Sequence, residues 1–472
     1  MTERRLATNR IIWTFATGQL GWSILSGVVT NWLVYFFQPG HDLLNEGQRI
    51  FITQGSVLLG MTTIGLITAL GRFTDAFVDP WVASRSDACG HRLGRRVPFM
   101  RYAAIPFGAA TILAFVSPID GVSVVNDIFL LVTVLAFYVC MTCYCTPFNA
   151  LIPELGRTQE LRIEVSTRIS FTYFIGTAIA YLVPNIAGLL QPALDMTTSF
   201  RVTIAALSVI AVACMLVPTF TIDEHIYAET TPSTIKMGES LKMTFSNRRF
   251  QVFVASDILY WIAITMFQTG LPFYITALMG LPDSMTFVLF ALMTIMSLVF
   301  YAPVNALAKR MGKKWLVCFA FMFFCIAFGV TSLAGLLGIP GIAWGVMIAV
   351  LAAPPMAVLG ILPQAVVADI AQADAISNGE ARQGMFYAAR TFSMKLGQSV
   401  AMILFTSVAL IGGAGTGYRL SALAAMVLCL ISGLTFLRYD EHGVLAAIRR
   451  DAASSADRTA SCGSASLEGK VD

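Results

Sequence analysis

Charge is scarce in this chain. Only 12% of its 472 residues are Asp, Glu, Lys or Arg, about half the share of a soluble domain, while 57% are hydrophobic. A water-soluble globule is excluded, and lipid is the expected solvent. Histidine is scarcer still: His41, His91, His225 and His442 all fall in connections or the tail, so none suits an intramembrane proton relay. No HExxH, GxSxG or comparable nucleophile and base pattern occurs, so nothing reads as an enzyme. The nine cysteines lie mostly inside apolar runs, where a free thiol is a small apolar filler. Cys140, Cys143 and Cys145 are close together but have no histidine nearby and do not share one face, which argues against a metal site and for no cofactor.

Apolar stretches recur from residue 11 to residue 438, each long enough to cross roughly 30 Å of hydrocarbon as a helix. Twelve spans are expected: 11–37, 51–83, 98–117, 128–152, 168–191, 202–222, 251–278, 284–308, 315–337, 341–372, 384–412 and 418–437. The polar segment 223–249 divides them six and six, with a short helix expected around MGESLKMTF. The expected organisation is a six-helix bundle over 1–222, a cytoplasmic central loop over 223–249, a second bundle over 250–438 and a disordered cytoplasmic tail over 439–472.

Segments 84–101, 153–168, 223–250, 309–314 and 382–390 hold 18 Lys and Arg; the alternating connections hold only Arg49, Arg201 and Arg419. The positive-inside rule places the rich side, and both termini, in the cytoplasm. The formal charge of +4 is therefore topology and implies no nucleic-acid partner.

The two sets of six echo each other. DPWVASRSDACGHRLGRRVPF after span two and APVNALAKRMGKKWLV after span eight each place a proline, small residues, a glycine and a basic pair, Arg95–Arg96 or Lys313–Lys314. PFNALIPEL from Pro147 and PQAVVADI from Pro363 repeat at the same interval. Two repeats rocking about a shared cavity would give alternating access.

Charges inside spans are the functional signal, because each costs several kcal/mol unless it faces a cavity or a partner. In GRFTDAFVDP, Asp75 and Asp79 are four residues apart on one helix face, with Arg72 nearly in line to balance charge. Two carboxylates this close describe a site for sodium or a proton; a solvated helix end is the alternative. Lys395, in RTFSMKLGQSV, either snorkels toward the surface or opposes those acids from the second half. On span four, Thr142 offers a cation an oxygen and Asn149 bonds a polar solute. Glu154, with the alternating charges that follow it to Arg168 at the cytoplasmic end of span four, is expected in solvated or gate-forming pairs. Arg168 at the mouth of span five is expected to reach the cavity, and Asp369 near the end of span ten to be a further gate element, as are Arg95 and Arg96.

DAFVDPWVASRSDACGHRLGRRVPF, PFNALIPEL, and ADI followed by RTFSMKLG resemble the hallmarks of the glycoside-pentoside-hexuronide:cation symporters, the melibiose permease-like branch of the major facilitator superfamily, across roughly 8–438. The resemblance implies an all-α membrane protein with twelve transmembrane helices in two six-helix bundles. It implies symport of a glycoside or related polar solute with H+ or Na+, by a monomer in the bacterial inner membrane. It implies a cation site at Asp75, Asp79 and Thr142 within a cavity, and Arg168, Thr391 and Lys395 along the solute and cation pathway. Cys145 stands where that family's melibiose carriers have a third acid, Asn149 where a sugar-stacking tryptophan is found, and Ser23 where a sugar-binding aspartate is found. Melibiose is therefore not the expected substrate, and losing the acid at Cys145 tilts the expectation toward a proton. The alternative is a carrier of lysolipids or other amphiphiles on the same scaffold, which an apolar cleft open to the bilayer would favour.

Overall fold

The computed structural model describes residues 6–40, 44, 47–58, 60–156, 159–227, 244–378, 383–413, 415–448 and 450. Helix α1 spans Asn9–Phe37; a two-stranded antiparallel hairpin, β1 (Ser56–Leu58) and β2 (Met61–Thr62), follows. Then come α2 (Thr63–Asp87), α3 (Val97–Leu113), α4 (Val124–Leu155), α5 (Gln159–Tyr181), α6 (Val183–Leu190) and α7 (Met196–Thr221). The short α8 (Glu224–Tyr227) precedes α9 (Arg248–Phe273), which continues as a π-helical turn over Tyr274–Leu278. The remainder is α10 (Met285–Met311), α11 (Lys313–Leu333), α12 (Gly341–Asn378), α13 (Gln383–Val408) and α14 (Thr416–Phe436).

Among the described residues eight helical stretches are long and apolar enough to cross a membrane, including Asn9–Phe37, Glu164–Leu190 and Arg248–Leu278, and two apolar stretches are shorter, Val97–Leu113 and Met285–Tyr301. The two long helices outside this set are α2, with Arg72, Asp75 and Asp79, and α13, with Arg390 and Lys395. Large aliphatic and aromatic side chains such as Val209, Phe220, Val299 and Leu434 stand exposed around the outside, a surface fit for lipid and costly in water.

The second span begins later than its apolar run suggests. Residues 51–62 are not helical: Gly55 and Gly60, each at φ +82°, turn the chain through the hairpin, and the Thr62 hydroxyl then accepts the Gly65 amide at 3.0 Å to cap α2. This start puts Asp75 midway along α2, so the acid pair is not a helix end. Pro80, inside α2, lacks an N–H and leaves one carbonyl of the preceding turn without its usual donor. The fifth span is interrupted at Leu182, ahead of Pro184, which divides α5 from α6. Most of the segment around MGESLKMTF lies outside the described residues. At the other end the packed chain continues beyond 438: Tyr439 and Val444 are buried, so the expected tail is anchored over its first ten residues, and 451–472 lie outside the described residues.

Helix neighbours repeat between the two sets of helices. α1 packs on α5 and α7, α2 on α4, and α3 on α4 and α7; correspondingly, α9 packs on α13 and α14, α10 on α12, and α11 on α12 and α14. The seams between the sets are unequal. α2 and α13 pack along an extensive face, whereas α5 and α10 barely touch.

Candidate functional site

The polar face of α2 meets α4 as a ladder of carboxylates and hydroxyls. The Thr142 hydroxyl donates to Asp75 Oδ1, and one turn later the Thr146 hydroxyl donates to Asp79 Oδ1 at 2.7 Å. Both partnerships join residues 67 apart, so the two helices run parallel with matched turns. From α13, Lys395 Nζ lies 2.9 Å from Asp75 Oδ2 and also donates to Asp79 Oδ2. Asp75 is fully buried, whereas the Asp79 side chain keeps 25% of its exposure, so the trio is approached from the Asp79 side. With both carboxylates ionised and the ammonium between them, the trio carries one net negative charge. A cation bound by these acids would compete with Lys395, because the ammonium already takes one oxygen from each acid. Ser399, one turn beyond Lys395, donates to Ala69 O at 2.8 Å and keeps α13 against α2.

Of the residues singled out from sequence, the structure brings together Asp75, Asp79, Thr142 and Lys395. Arg72 turns away toward α1, donating to Thr30 Oγ1 at 3.0 Å and lying 5.2 Å over the Tyr138 ring. Asn149 is exposed. Thr391 is exposed and its hydroxyl donates to Tyr387 O at 3.0 Å. Arg168 bonds Asn9 through its backbone oxygen at 3.0 Å and its side chain, pairs with Glu164, and lies 5.1 Å over the Trp13 ring. Thr146 and Asp257 were not singled out. The signal for Thr146 is its spacing of four from Thr142, equal to that of the acids. Asp257 lies in an otherwise uncharged stretch of α9 and forms a buried two-bond pair with Arg390, at 3.0 and 3.2 Å. Among the described residues no group of three His, Cys, Asp or Glu is placed to hold a metal ion.

The basic turns are held by carboxylates within their own sets of helices. The amides of Arg95 and Arg96 donate to Glu224 at 2.9 and 2.8 Å, and Glu154 Oε1 lies 3.5 Å from the Arg95 guanidinium and 3.3 Å from that of Arg96. The amides of Lys313 and Lys314 donate to Glu441 at 2.7 and 3.1 Å, and the Lys313 ammonium pairs with Asp369. Gly94 and Gly312, at φ +106° and +85°, precede these amides, and a Cβ at either would meet the clasping glutamate. Glu224 and Glu441 stand in the same tripeptide, DEH, at 223–225 and 440–442.

Where α5 and α10 part, they leave a cleft of about 740 Å³. Phe171, Phe174, Ile175, Phe287, Ile295 and Leu298 make most of it apolar, with Ser166, Ser170 and Tyr301 among its few hydroxyls.

Helices of this length and composition, in this arrangement, define a multi-pass membrane protein with the fold of the major facilitator superfamily. Over residues 14–437 the chain matches, and belongs to, the family described as MFS/sugar transport protein. It is 23% identical over 424 residues to an uncharacterized symporter of Synechocystis sp., spanning 72% of this chain and 77% of that one. It is 23% identical over 366 residues to an isoprimeverose transporter of Lactiplantibacillus pentosus, spanning 76% and 72%. The crystal structure of the nucleoside transporter NupG superposes with a TM-score of 0.66 over 92% of this chain and 99% of that one, at 13% identity, a likeness of fold. The protein is a secondary active transporter of that fold.

Proposed function

We propose that the chain is a cation symporter for a sugar or glycoside-like solute, of the glycoside-pentoside-hexuronide type, working by alternating access. In this reading twelve crossings form two six-helix bundles, 1–222 and 250–438, joined by a cytoplasmic loop. Both termini are cytoplasmic, in the plasma membrane of a bacterium. The matched helix neighbours and the duplicated glutamate clasps support two equivalent bundles. Asp75, Asp79, Thr142 and Thr146 form the cation site. Asn149, Arg168 and Thr391, near the open side, serve the solute, with Arg72 holding α2 to α1.

The observation that carries the proposal is Lys395, a cation contributed by the second bundle to the acids of the first. When H+ or Na+ neutralises the acids, Lys395 is released and the α2–α13 seam loses its strongest tie. Occupancy of the site thereby changes the balance between bundle orientations, which is what coupling requires. Arg95, Arg96, Glu154 and Asp369 act in gating by keeping each bundle's cytoplasmic ends rigid during the rocking.

The test is uptake by the purified chain in liposomes, with a panel of sugars and glycosides under separately imposed proton and sodium gradients. One gradient is expected to drive accumulation, and Asp79→Asn to abolish it. Accumulation of a solute by Asp79→Asn equal to that of the parent would sink the coupling site. A second reading, transport of a lysolipid or other amphiphile, is favoured by the apolar cleft between α5 and α10. Lysophospholipid movement between leaflets, driven by the same gradients and unaffected by sugars, would select it.

A further inference from the structure

Helix α13 is two-faced. Toward α9 it presents Phe386, stacked edge-on to Phe250 at 5.0 Å, Arg390, Gly397 and Phe405, which lies 5.7 Å from Phe273. A Cβ on Gly397 would approach Ile258 O to 3.1 Å, so the two backbones are close there. Toward α2 it presents Phe392, at 5.5 Å from Phe77, then Lys395 and Ser399. Arg390 and Lys395 are five residues apart, which places them about 140° apart around the helix and about 7.5 Å apart along it. One cation is thus spent inside α13's own set of helices and the other reaches across to the opposite set.

We propose that the Asp257–Arg390 pair is a positioning latch that sets the rotation and height of α13 and so delivers Lys395 to Asp75 and Asp79. The planar, two-bond geometry of a guanidinium on a carboxylate fixes orientation as well as distance, which a single lysine contact does not. Both partners are buried, and the Phe253 ring lies 5.7 Å from the guanidinium. The cavity beside Asp257 measures about 10 Å³, room for no more than about one water, so a charge left behind by its partner would be poorly hydrated. That confinement suits a fixed latch and not an exchanging ion site. The titratable and charged groups around Lys395 are Asp75 and Asp79 of α2 and Cys145 of α4, with Arg72 and Tyr138 beyond Asp75. Among the described residues only the two acids bond the ammonium, so moving α13 changes the competition between Lys395 and the coupling ion for them.

This inference rests on the symport reading, and its test separates the two. The full chain, purified in detergent, is melted across titrations of sodium chloride against choline chloride and of pH, since an ion bound by the folded state raises the melting temperature. Asp257→Asn combined with Arg390→Gln removes both buried charges without orphaning either. The expected result is that the ion midpoint moves about tenfold toward lower ion concentration, equivalent to about 1.4 kcal/mol, for protons one unit toward higher pH. The same shift is expected in Lys395→Gln, and adding the pair to Lys395→Gln should move the midpoint no further. A folded double variant with the parent midpoint overturns the latch, and so does a shift that persists undiminished without Lys395. If the double variant does not fold, Arg390→Lys serves, because it keeps the charge and loses the planar fork; its parent-like midpoint likewise overturns the latch. A parent chain indifferent to both ions overturns the symport reading together with the latch, whereas a responsive parent with an ineffective pair overturns the latch alone.

Discussion

Five side-chain groups meet at one point: two carboxylates, two hydroxyls and one ammonium. Each hydroxyl bond goes to a charged acceptor, the kind of bond whose loss costs about 1.5–3 kcal/mol. Replacing Thr146 by Val keeps the shape and removes the hydroxyl; the apparent affinity for the coupling ion should fall about tenfold, read from the ion dependence of uptake. Thr142→Val should cost at least as much, because its partner Asp75 is fully buried and has no water to turn to. An unchanged ion dependence in Thr146→Val would remove that residue from the site. Spacing made Asp75 and Asp79 legible in the sequence, since a charge in an apolar run needs a reason. Thr146 was not legible alone: a hydroxyl inside a membrane helix ordinarily bonds its own backbone, as Thr391 and Thr133 do here. Which way Lys395 points was likewise undecidable until α13 was placed against α2.

At the scale of elements, the apolar periodicity located most helices, while glycine and proline decided where they begin and end. The run beginning at residue 51 looks continuous because QGSVLLGMTTIGLITAL has no charge, yet two glycines in the left-handed region spend its first third on a hairpin. The glutamate clasps were hidden for a different reason. Their partners are backbone amides at the start of α3 and α11, more than a hundred residues distant, and the second DEH falls where composition reads as tail. Glu224 accepts three amides at the start of α3, from Arg95, Arg96 and Val97, the last at 3.2 Å. Glu224→Ala should lower stability by about 2 kcal/mol, as expected for bonds to a buried charge, and Glu441→Ala by a similar amount. The two losses should add to within about 0.5 kcal/mol, since the clasps share no partner. Thermal unfolding of the single and double variants checks both points, and a single variant with the parent melting temperature would reduce that clasp to a bystander.

At the scale of the molecule, the two seams between the helix sets are equivalent by repeat yet differ in closure. α2 and α13 are held by Lys395, by Ser399 and by the edge-to-face pair Phe77 and Phe392, whereas α5 and α10 stand apart over a long apolar cleft. Beyond Lys395 the sets also meet where Tyr35 packs on Phe273 at 5.1 Å, Gln38 donates to Thr406 O at 3.2 Å and Tyr181 stacks on Phe290 at 4.1 Å. Asn149 and Thr391, by contrast, are exposed near the basic turns. The two sets are therefore closed together at the hairpin end while Asn149 and Thr391 stay exposed, which is what one half of the proposed alternating cycle requires.

A shut end that opens must expose Tyr35 while covering Asn149, and cysteine labelling reads both. In a background whose native cysteines are replaced, Asn149→Cys should react quickly with a hydrophilic maleimide and Tyr35→Cys slowly. Neutralising Asp75 and Asp79, by the coupling ion or by Asp75→Asn with Asp79→Asn, frees Lys395 and weakens the shared α2–α13 seam about which the sets would turn. The first rate should then fall and the second rise, each by several-fold, and the change should be absent when a cross-link joins the two sets beside Tyr35 and Phe273. Two rates that stay constant under every ion and solute condition would mean that closure at the hairpin end is permanent, and the charged trio would then be a structural joint rather than the coupling element.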